Sequence, residues 1–159
     1  MKADEKKYFP MFVDLTQKKV TVIGAGNIAK RRIETLLSFA GTIEVIAPDA
    51  CEKIKKLAKE GRLVWKEKEY DREDLYDADL VLSATNDEKV NNDVYSACKC
   101  LGISVNTASN RMKCDFYFPS ILQKEETVIG LNSAGNPAKT KNVRKEIQKW
   151  IEEAGEKHE

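Results

Sequence analysis

The feature that most constrains this chain is a run of β-branched residues at 20–23 that leads directly into a glycine-rich turn. Such runs are typical of buried parallel strands. Residues 24–29 then read Gly-Ala-Gly-Asn-Ile-Ala, the G-x-G-x-x-A spacing of a strand–turn–helix unit. The segment therefore predicts an α/β fold whose first strand ends in a glycine turn.

Each small residue of this turn has a mechanical role. Gly24 permits the tight turn, Gly26 lets a pyrophosphate approach bare backbone, and Ala29 lets the helix pack closely on the strand. The first-turn amides of Asn27 and Ile28 are unpaired donors at the positive end of a helix, a setting that stabilises an anion by ~0.3–1 kcal/mol. We expect a dinucleotide site here, and the alternative is a purely steric use of glycine.

Further strands are expected at 43–47, 63–66, 79–85 and 103–107, with helices between most of them. The first helix is expected to end at Gly41 as a C-terminal cap. This alternation predicts right-handed βαβ units and a Rossmann-like parallel sheet in the order 3-2-1-4-5. Because that order reverses between strands 1 and 4, one cleft should be lined by residues 24–28, 84–86 and 106–109.

The end of strand 2 is where a dinucleotide fold recognises the adenosine ribose. Ala47 occupies the usual acidic position, and Pro48 and Asp49 follow it. Asp49 could reach the ribose hydroxyls or cap the next helix, and both interpretations stay open. No arginine follows directly to accept a 2′-phosphate, which favours NAD over NADP as the cofactor.

The pattern changes after the fifth strand. Two strands at 116–122 and 127–131, separated by a charged turn, predict a hairpin, and a last helix begins near Pro137. We divide the chain into an NAD-binding Rossmann domain at 1–112 and a small α+β dimerisation segment at 113–159. A hairpin and one helix bury little surface by themselves, so we expect a homodimer.

Composition argues against several classes of function. The chain has 27 Lys and Arg against 26 Asp and Glu, so no global field favours nucleic acid or a membrane surface. No apolar run could span a bilayer and the charged start lacks a signal-peptide core, so we expect a cytoplasmic protein. The four cysteines form no C-x-x-C pair and His158 is the single histidine, so we expect no metal site and no histidine catalysis.

Three further motifs give the chain a family resemblance. They are Tyr8-Phe-Pro-Met-Phe-Val-Asp-Leu15, Ala84-Thr85-Asn86-Asp87 with Val90-Asn91, and Asn106-Thr-Ala-Ser109 leading to Phe116-Tyr-Phe-Pro-Ser120. With them the chain resembles the precorrin-2 dehydrogenases, which form siroheme and some of which are also sirohydrochlorin ferrochelatases. The resemblance implies NAD-dependent removal of a hydride and a proton from a reduced tetrapyrrole with many carboxylates.

The resemblance also implies roles for particular residues. The dinucleotide is expected at Asn27, Ile28, Pro48 and Asp49. The nicotinamide is expected near Thr85 and Asn106, and Asn86 is a further cofactor-binding candidate. The substrate carboxylates are expected at Asn106, Arg111 and Lys113, with Lys30 as a further candidate. The candidate catalytic residues are Ser109 and Asp115, and Asp115 has an alternative interpretation as a strand-start or turn residue.

Two departures from the family pattern limit the interpretation. Members that insert iron carry an aspartate in an N-x-x-D pattern after strand 5, and Ser109 stands there in this chain. A hydroxyl cannot replace a carboxylate as proton acceptor or metal ligand at neutral pH, which argues against the alternative of a bifunctional dehydrogenase and ferrochelatase. Many relatives also continue into a further helical region, which keeps open a non-catalytic NAD- or tetrapyrrole-binding accessory module.

Overall fold

The computed structural model describes residues 8–155, so the charged start and His158 lie outside the described residues. The chain divides into two compact units between Phe116 and Tyr117. The sequence suggested a division slightly earlier, after residue 112. Each unit is described by itself below.

The first unit is built on a five-stranded parallel sheet in the order β3-β2-β1-β4-β5. This confirms the predicted Rossmann-like sheet and its strand order. The strands are β1 (Lys19–Ile23), β2 (Thr42–Ala47), β3 (Val64–Glu67), β4 (Leu80–Ser83) and β5 (Ser104–Thr107). The helices are α1 (Asn27–Leu36), α2 (Glu52–Lys59) and α3 (Glu88–Leu101), with short 3₁₀ turns at Arg72–Leu75 and Arg111–Lys113.

The central strands carry the core because both of their faces are covered. Val22 of β1 lies in register with Val45 of β2 and Leu82 of β4, and all three side chains are fully buried. Burying one such side chain contributes roughly 1.5–3 kcal/mol relative to leaving it exposed. The β-branched run at 20–23 is therefore at the centre of the sheet, and the glycine turn follows directly from its end.

Gly41 corrects one expectation. Helix α1 ends at Leu36 with Leu37 as its C-cap, so Gly41 does not terminate the helix. Its amide instead donates a hydrogen bond to the Leu15 carbonyl at 2.9 Å. A Cβ at Gly41 would lie 2.0 Å from the Thr16 carbonyl oxygen, so this glycine is required for close passage of two backbone segments.

Helix α3 has a capping residue at each end. Asp87 is the N-cap, and its carboxylate accepts hydrogen bonds from the amides of Lys89 and Val90. Gly102 ends the helix in the left-handed conformation at φ 71°. The Asp87 cap fixes the start of α3 after the short loop that follows β4.

The second unit contains an antiparallel hairpin, β6 (Ser120–Lys124) and β7 (Thr127–Leu131), followed by helix α4 (Pro137–Gly155). The two strands are joined through Glu125, which has a positive φ of 52°. Trp150 on α4 is 68% exposed. The role of this unit in dimerisation stays a prediction. Within residues 8–155, no helix is both long and apolar enough to cross a membrane.

Candidate functional site

The loops that follow β1, β4 and β5 meet at the carboxyl edge of the sheet. Each begins with a backbone amide that donates to the neighbouring strand: Gly24 N–H to Ile46 O at 2.9 Å, Ala84 N–H to Ile23 O at 2.8 Å, and Ala108 N–H to Ser83 O at 2.8 Å. The structure therefore brings together the three loops that the sequence placed along one cleft. This edge is where parallel α/β sheets bind ligands.

Gly24 shows why the turn after β1 needs glycine. Its φ is +102°, a conformation that side chains rarely adopt. A Cβ here would lie 2.7 Å from the Ala84 carbonyl oxygen and 2.8 Å from the Thr85 amide nitrogen. The glycine turn is thus packed backbone to backbone against the loop that follows β4.

Gly26 is placed quite differently. It is the N-cap of α1, with a φ of −84°, and it supplies no side chain to cap the helix. A Cβ at this position would meet no atom within 4 Å. Asn27 and Ile28 follow as exposed residues of the first turn, which contains no acidic side chain.

These features fit a dinucleotide pyrophosphate. The first amides of a helix lack intrahelical acceptors and lie at the positive end of the helix dipole. Because the space next to Gly26 is open, a phosphate can approach those amides, and a side chain there would occupy the same space. Gly26, Asn27 and Ile28 are therefore the residues that could hold the diphosphate of a cofactor.

The loop after β2 supplies an acidic group. Asp49 is 84% exposed and pairs with Lys55 of α2 at 2.9 Å. That hydrogen bond, together with one from the Ala50 amide, lowers the pKa of the Asp49 carboxyl. Cys51, and not Asp49, is the N-cap of α2, so the capping interpretation of Asp49 is wrong. Pro48 is exposed beside it.

The Cys51 amide also donates to the Ala25 carbonyl at 3.2 Å. The loop after β2 is thereby held against the glycine turn. A diphosphate bound at Gly26 and a ribose bound at Asp49 would then be neighbours at the same edge of the sheet. This is the arrangement expected for a dinucleotide.

The loop after β4 is held by polar contacts. The Thr85 hydroxyl oxygen accepts from the Asp87 amide at 2.9 Å, and Asn86 is exposed. Below this loop lies Asn91 of α3, which is 2% exposed. In the sequence, Asn91 stands out only as part of the motif that follows β4. Its signal was a polar residue between Val90 and Val94 on the apolar face of α3.

Ser109 lies in the exposed loop after β5, and its hydroxyl oxygen is 3.3 Å from Asn91 Nδ2. Its hydroxyl is thereby tied to the loop after β4, since the same Nδ2 contacts Thr85 O at 2.9 Å. Of the two candidate catalytic residues, Ser109 is the one that lies beside the loop after β4.

Asp115 lies elsewhere. Its carboxylate accepts from the Val105 amide at 3.0 Å and pairs with Lys99 of α3. An antiparallel bridge between Asn106 and Cys114 turns the chain back along β5 and carries Asp115 toward the start of that strand. The structure does not bring Asp115 to Ser109, and its interpretation as a local structural residue is the one that the contacts favour.

Two predicted substrate-binding residues are also engaged in packing. Asn106 is 3% exposed, and its Nδ2 donates to the Phe116 carbonyl at 2.7 Å, so it lies inside the unit and not in the open cleft. Lys113 donates to Asn92 Oδ1 on α3. Arg111 is exposed on the 3₁₀ turn, and Lys30 is half-buried in α1.

Among residues 8–155, no three His, Cys, Asp or Glu side chains form a group that could hold a metal ion. Four thiols are present: Cys100 is exposed, Cys51 is half-buried, and Cys98 and Cys114 are buried. Burial raises the pKa of the Cys98 thiol to about 12. Cys98 is accordingly a core residue.

A parallel sheet in the order 3-2-1-4-5, with a bare glycine turn at the start of α1, defines a Rossmann-type dinucleotide-binding protein. Residues 11–120 match a family model described as "Putative NAD(P)-binding". The chain belongs to this NAD(P)-binding family, whose cofactor class is a nicotinamide dinucleotide.

Individual relatives agree with this assignment. The chain is 36% identical over 146 residues to the siroheme synthase of Pseudoalteromonas atlantica, covering 91% of this chain and 32% of the relative. It is 34% identical over 142 residues to the siroheme synthase of Buchnera aphidicola, covering 89% and 30%. The chain thus spans about a third of the length of these curated relatives.

Among solved structures, the chain is similar to SirC, precorrin-2 dehydrogenase. The TM-score is 0.72 with 26% sequence identity, over 89% of this chain and 70% of that chain. These similarities confirm the resemblance to precorrin-2 dehydrogenases that the sequence motifs indicated.

Proposed function

We propose that this chain catalyses the NAD-dependent dehydrogenation of precorrin-2 to sirohydrochlorin in siroheme biosynthesis. The observation that carries the proposal is the open space at Gly26 beside the first turn of α1, on a fold similar to that of SirC, precorrin-2 dehydrogenase. A bound nicotinamide supplies the hydride acceptor for this reaction, so the protein has mainly to bind and orient the reactants.

We assign each residue of the cleft a separate role in binding or orienting the reactants. Gly26, Asn27 and Ile28 bind the diphosphate at the start of α1, and Gly24 fixes the turn that presents them. Thr85 and Asn86 line the nicotinamide end of the cleft, and Ser109 faces them from the loop after β5. The exposed cation Arg111 meets carboxylates of the tetrapyrrole.

We infer that the cofactor is NAD and not NADP. The Asp49 carboxylate is exposed, and its lowered pKa keeps it ionised at neutral pH. A carboxylate at the end of β2 accepts hydrogen bonds from ribose hydroxyls and repels a 2′-phosphate. Lys55 pairs with that carboxylate at 2.9 Å and would have to share it with the ribose.

We further infer that the chain is a dehydrogenase only. The residue at the cleft after β5 is Ser109, whose hydroxyl is bonded to an amide, and Asp115 is committed to Lys99 and Val105. Within residues 8–155, Asp115 therefore does not take the place of Ser109 as a proton acceptor for metal insertion. We also propose that the protein is a homodimer formed through the second unit.

The test is an anaerobic assay with precorrin-2 and NAD that follows both NADH formation and the sirohydrochlorin absorption. We expect both signals to rise together, and Gly26→Asp to abolish them by placing a negative side chain where the diphosphate binds. Ser96→Asp, which adds the same charge on an exposed position of α3, is the matched control and should retain activity. With verified substrate, absence of NADH in the unmodified protein would refute the dehydrogenase.

The same assay separates the other candidate functions. A non-catalytic accessory module would bind NAD or tetrapyrrole by calorimetry without forming NADH. A ferrochelatase would accelerate the insertion of ferrous or cobaltous ion into sirohydrochlorin. We expect insertion at the spontaneous rate, and a rate well above it would show that the inference from Ser109 is wrong.

A further inference from the structure

Asn91 is the centre of a buried polar network beneath the cleft. The Ser83 hydroxyl contacts Asn91 Oδ1 at 2.6 Å, and Asn91 Nδ2 contacts the Thr85 carbonyl at 2.9 Å and the Ser109 hydroxyl oxygen at 3.3 Å. Ser83 is fully buried and Asn91 is 2% exposed. The network thus joins the ends of β4, α3 and the loop after β5.

The direction of each hydrogen bond in this network follows from chemistry. A backbone carbonyl can only accept, so the atom of Asn91 that faces Thr85 must be the amide nitrogen. The amide oxygen then faces Ser83, whose hydroxyl must donate to it. The second hydrogen of the amide nitrogen is directed to Ser109 Oγ. Both amide hydrogens and the amide oxygen of Asn91 are therefore used.

Ser109 is left with its own hydroxyl hydrogen. Its oxygen accepts from Asn91, and within the described residues no acceptor for the hydroxyl hydrogen is found. Ser109 is exposed, so the hydrogen is free to rotate toward the cleft. A hydroxyl that accepts a hydrogen bond is also a somewhat stronger donor.

We propose that Asn91 is a positioning residue that fixes Ser109 as a hydrogen-bond donor into the cleft, where Ser109 binds an acceptor oxygen of the bound ligands. Two sources share this chemistry: a carboxylate of the tetrapyrrole substrate and the carboxamide oxygen of the nicotinamide. The inference rests on the proposed function, and it makes Ser109 a ligand-binding donor and not a proton acceptor.

The test compares Ser109→Ala, Ser109→Thr and Asn91→Asp. Removing the donor should raise the KM for precorrin-2 by about tenfold or more if it serves a substrate carboxylate, or the Kd for NAD by about 2- to 13-fold if it serves the neutral carboxamide. Ser109→Thr keeps the hydroxyl and should restore both constants. A change in neither constant for Ser109→Ala overturns the proposal.

Asn91→Asp tests the direction of the network. The new carboxylate cannot donate, so it accepts a hydrogen bond from the Ser109 hydroxyl, which then no longer donates to the ligand. The variant should therefore change the same constant, KM for precorrin-2 or Kd for NAD, as Ser109→Ala does. The double variant should show no further loss, because both changes remove one donor. Independent, multiplying losses would contradict the proposal. Ser96→Ala on the exposed side of α3 is the control.

Two safeguards keep the outcome decisive. Thermal unfolding of each variant shows whether Asn91→Asp still folds, and if it does not, the Ala and Thr variants of Ser109 decide alone. If the unmodified protein forms no NADH, the proposed function fails. Calorimetry with precorrin-2 and with NAD then still decides the inference, since an unchanged Kd for both ligands in Ser109→Ala overturns it.

Discussion

Gly24 and Gly26 lie two residues apart in one turn, yet a side chain added at each should have a different effect on the protein. An alanine at Gly24 would place its Cβ 2.7 Å from the Ala84 carbonyl oxygen while keeping a φ of +102°. An alanine at Gly26 would meet no atom within 4 Å. Gly24→Ala should therefore damage folding, whereas Gly26→Ala should damage ligand binding.

The magnitude for Gly24→Ala follows from two terms. The unfavourable backbone conformation costs about 1–2 kcal/mol, and overpacking against fixed backbone costs about 1–3 kcal/mol. Together they lower the free energy of unfolding by about 2–5 kcal/mol. For a chain of this size that corresponds to a fall of about 10 °C in the thermal midpoint.

For Gly26→Ala the folding terms nearly cancel. Alanine is a poorer N-cap than glycine, but it also reduces the conformational freedom of the unfolded chain. We expect the free energy of unfolding to stay within about 1 kcal/mol, while NAD affinity falls because the methyl group occupies the space of the diphosphate.

Urea unfolding and calorimetry with NAD measure the two effects separately. Gly24→Ala should shift the urea midpoint, and Gly26→Ala should shift the Kd for NAD by tenfold or more with an unchanged midpoint. The reasoning is refuted if the two variants lose the same stability, or if Gly26→Ala binds NAD as tightly as the unmodified protein.

Three further predictions concern other parts of the chain. Asp49→Ala should raise the affinity for NADP relative to NAD in calorimetry, because Lys55 is released to meet a 2′-phosphate; an unchanged ratio would contradict this role. At pH 8 a thiol reagent should modify Cys100 quickly and Cys98 only after unfolding, since burial raises the pKa of the Cys98 thiol to about 12 and the thiolate is the reactive form; peptide mapping that finds Cys98 labelled in the native protein would oppose it. Trp150→Glu on the exposed face of α4 should convert a dimer to a monomer in sedimentation velocity, and a monomeric unmodified protein would remove the basis for this expectation.

The sheet was predictable because its information is local. The β-branched run at 20–23, the adjoining glycine turn and the alternation of strands with helices are each contained in short segments, and handedness rules then leave few strand orders. The Asp87 and Gly102 caps of α3 are equally local. Helix α1 was extended too far because periodicity shows which face is apolar and does not show where the helix stops.

The site was less predictable because its contacts join distant segments. Asn91 and Ser109 are 18 positions apart, and Asp115 meets Val105 only because the chain folds back along β5. The sequence around a carboxylate does not show at which end of a neighbouring strand the folded chain places it. The glycine turn and Ser109 were found from motifs, whereas the amide that orients Ser109 required three-dimensional contacts.

The loops after β1, β4 and β5 each begin with a backbone hydrogen bond to the neighbouring strand. These three bonds continue the hydrogen-bond ladder of the sheet by one residue beyond the ends of the strands. The amides of Gly24, Ala84 and Ala108 are therefore already immobilised when the protein folds. An incoming ligand does not need to order the backbone at these three residues, so little conformational entropy is lost there on binding. Only the exposed side chains at this edge of the sheet then adapt to ligands of different shape. If the three amides are immobilised, their hydrogen exchange should be slow in the free protein.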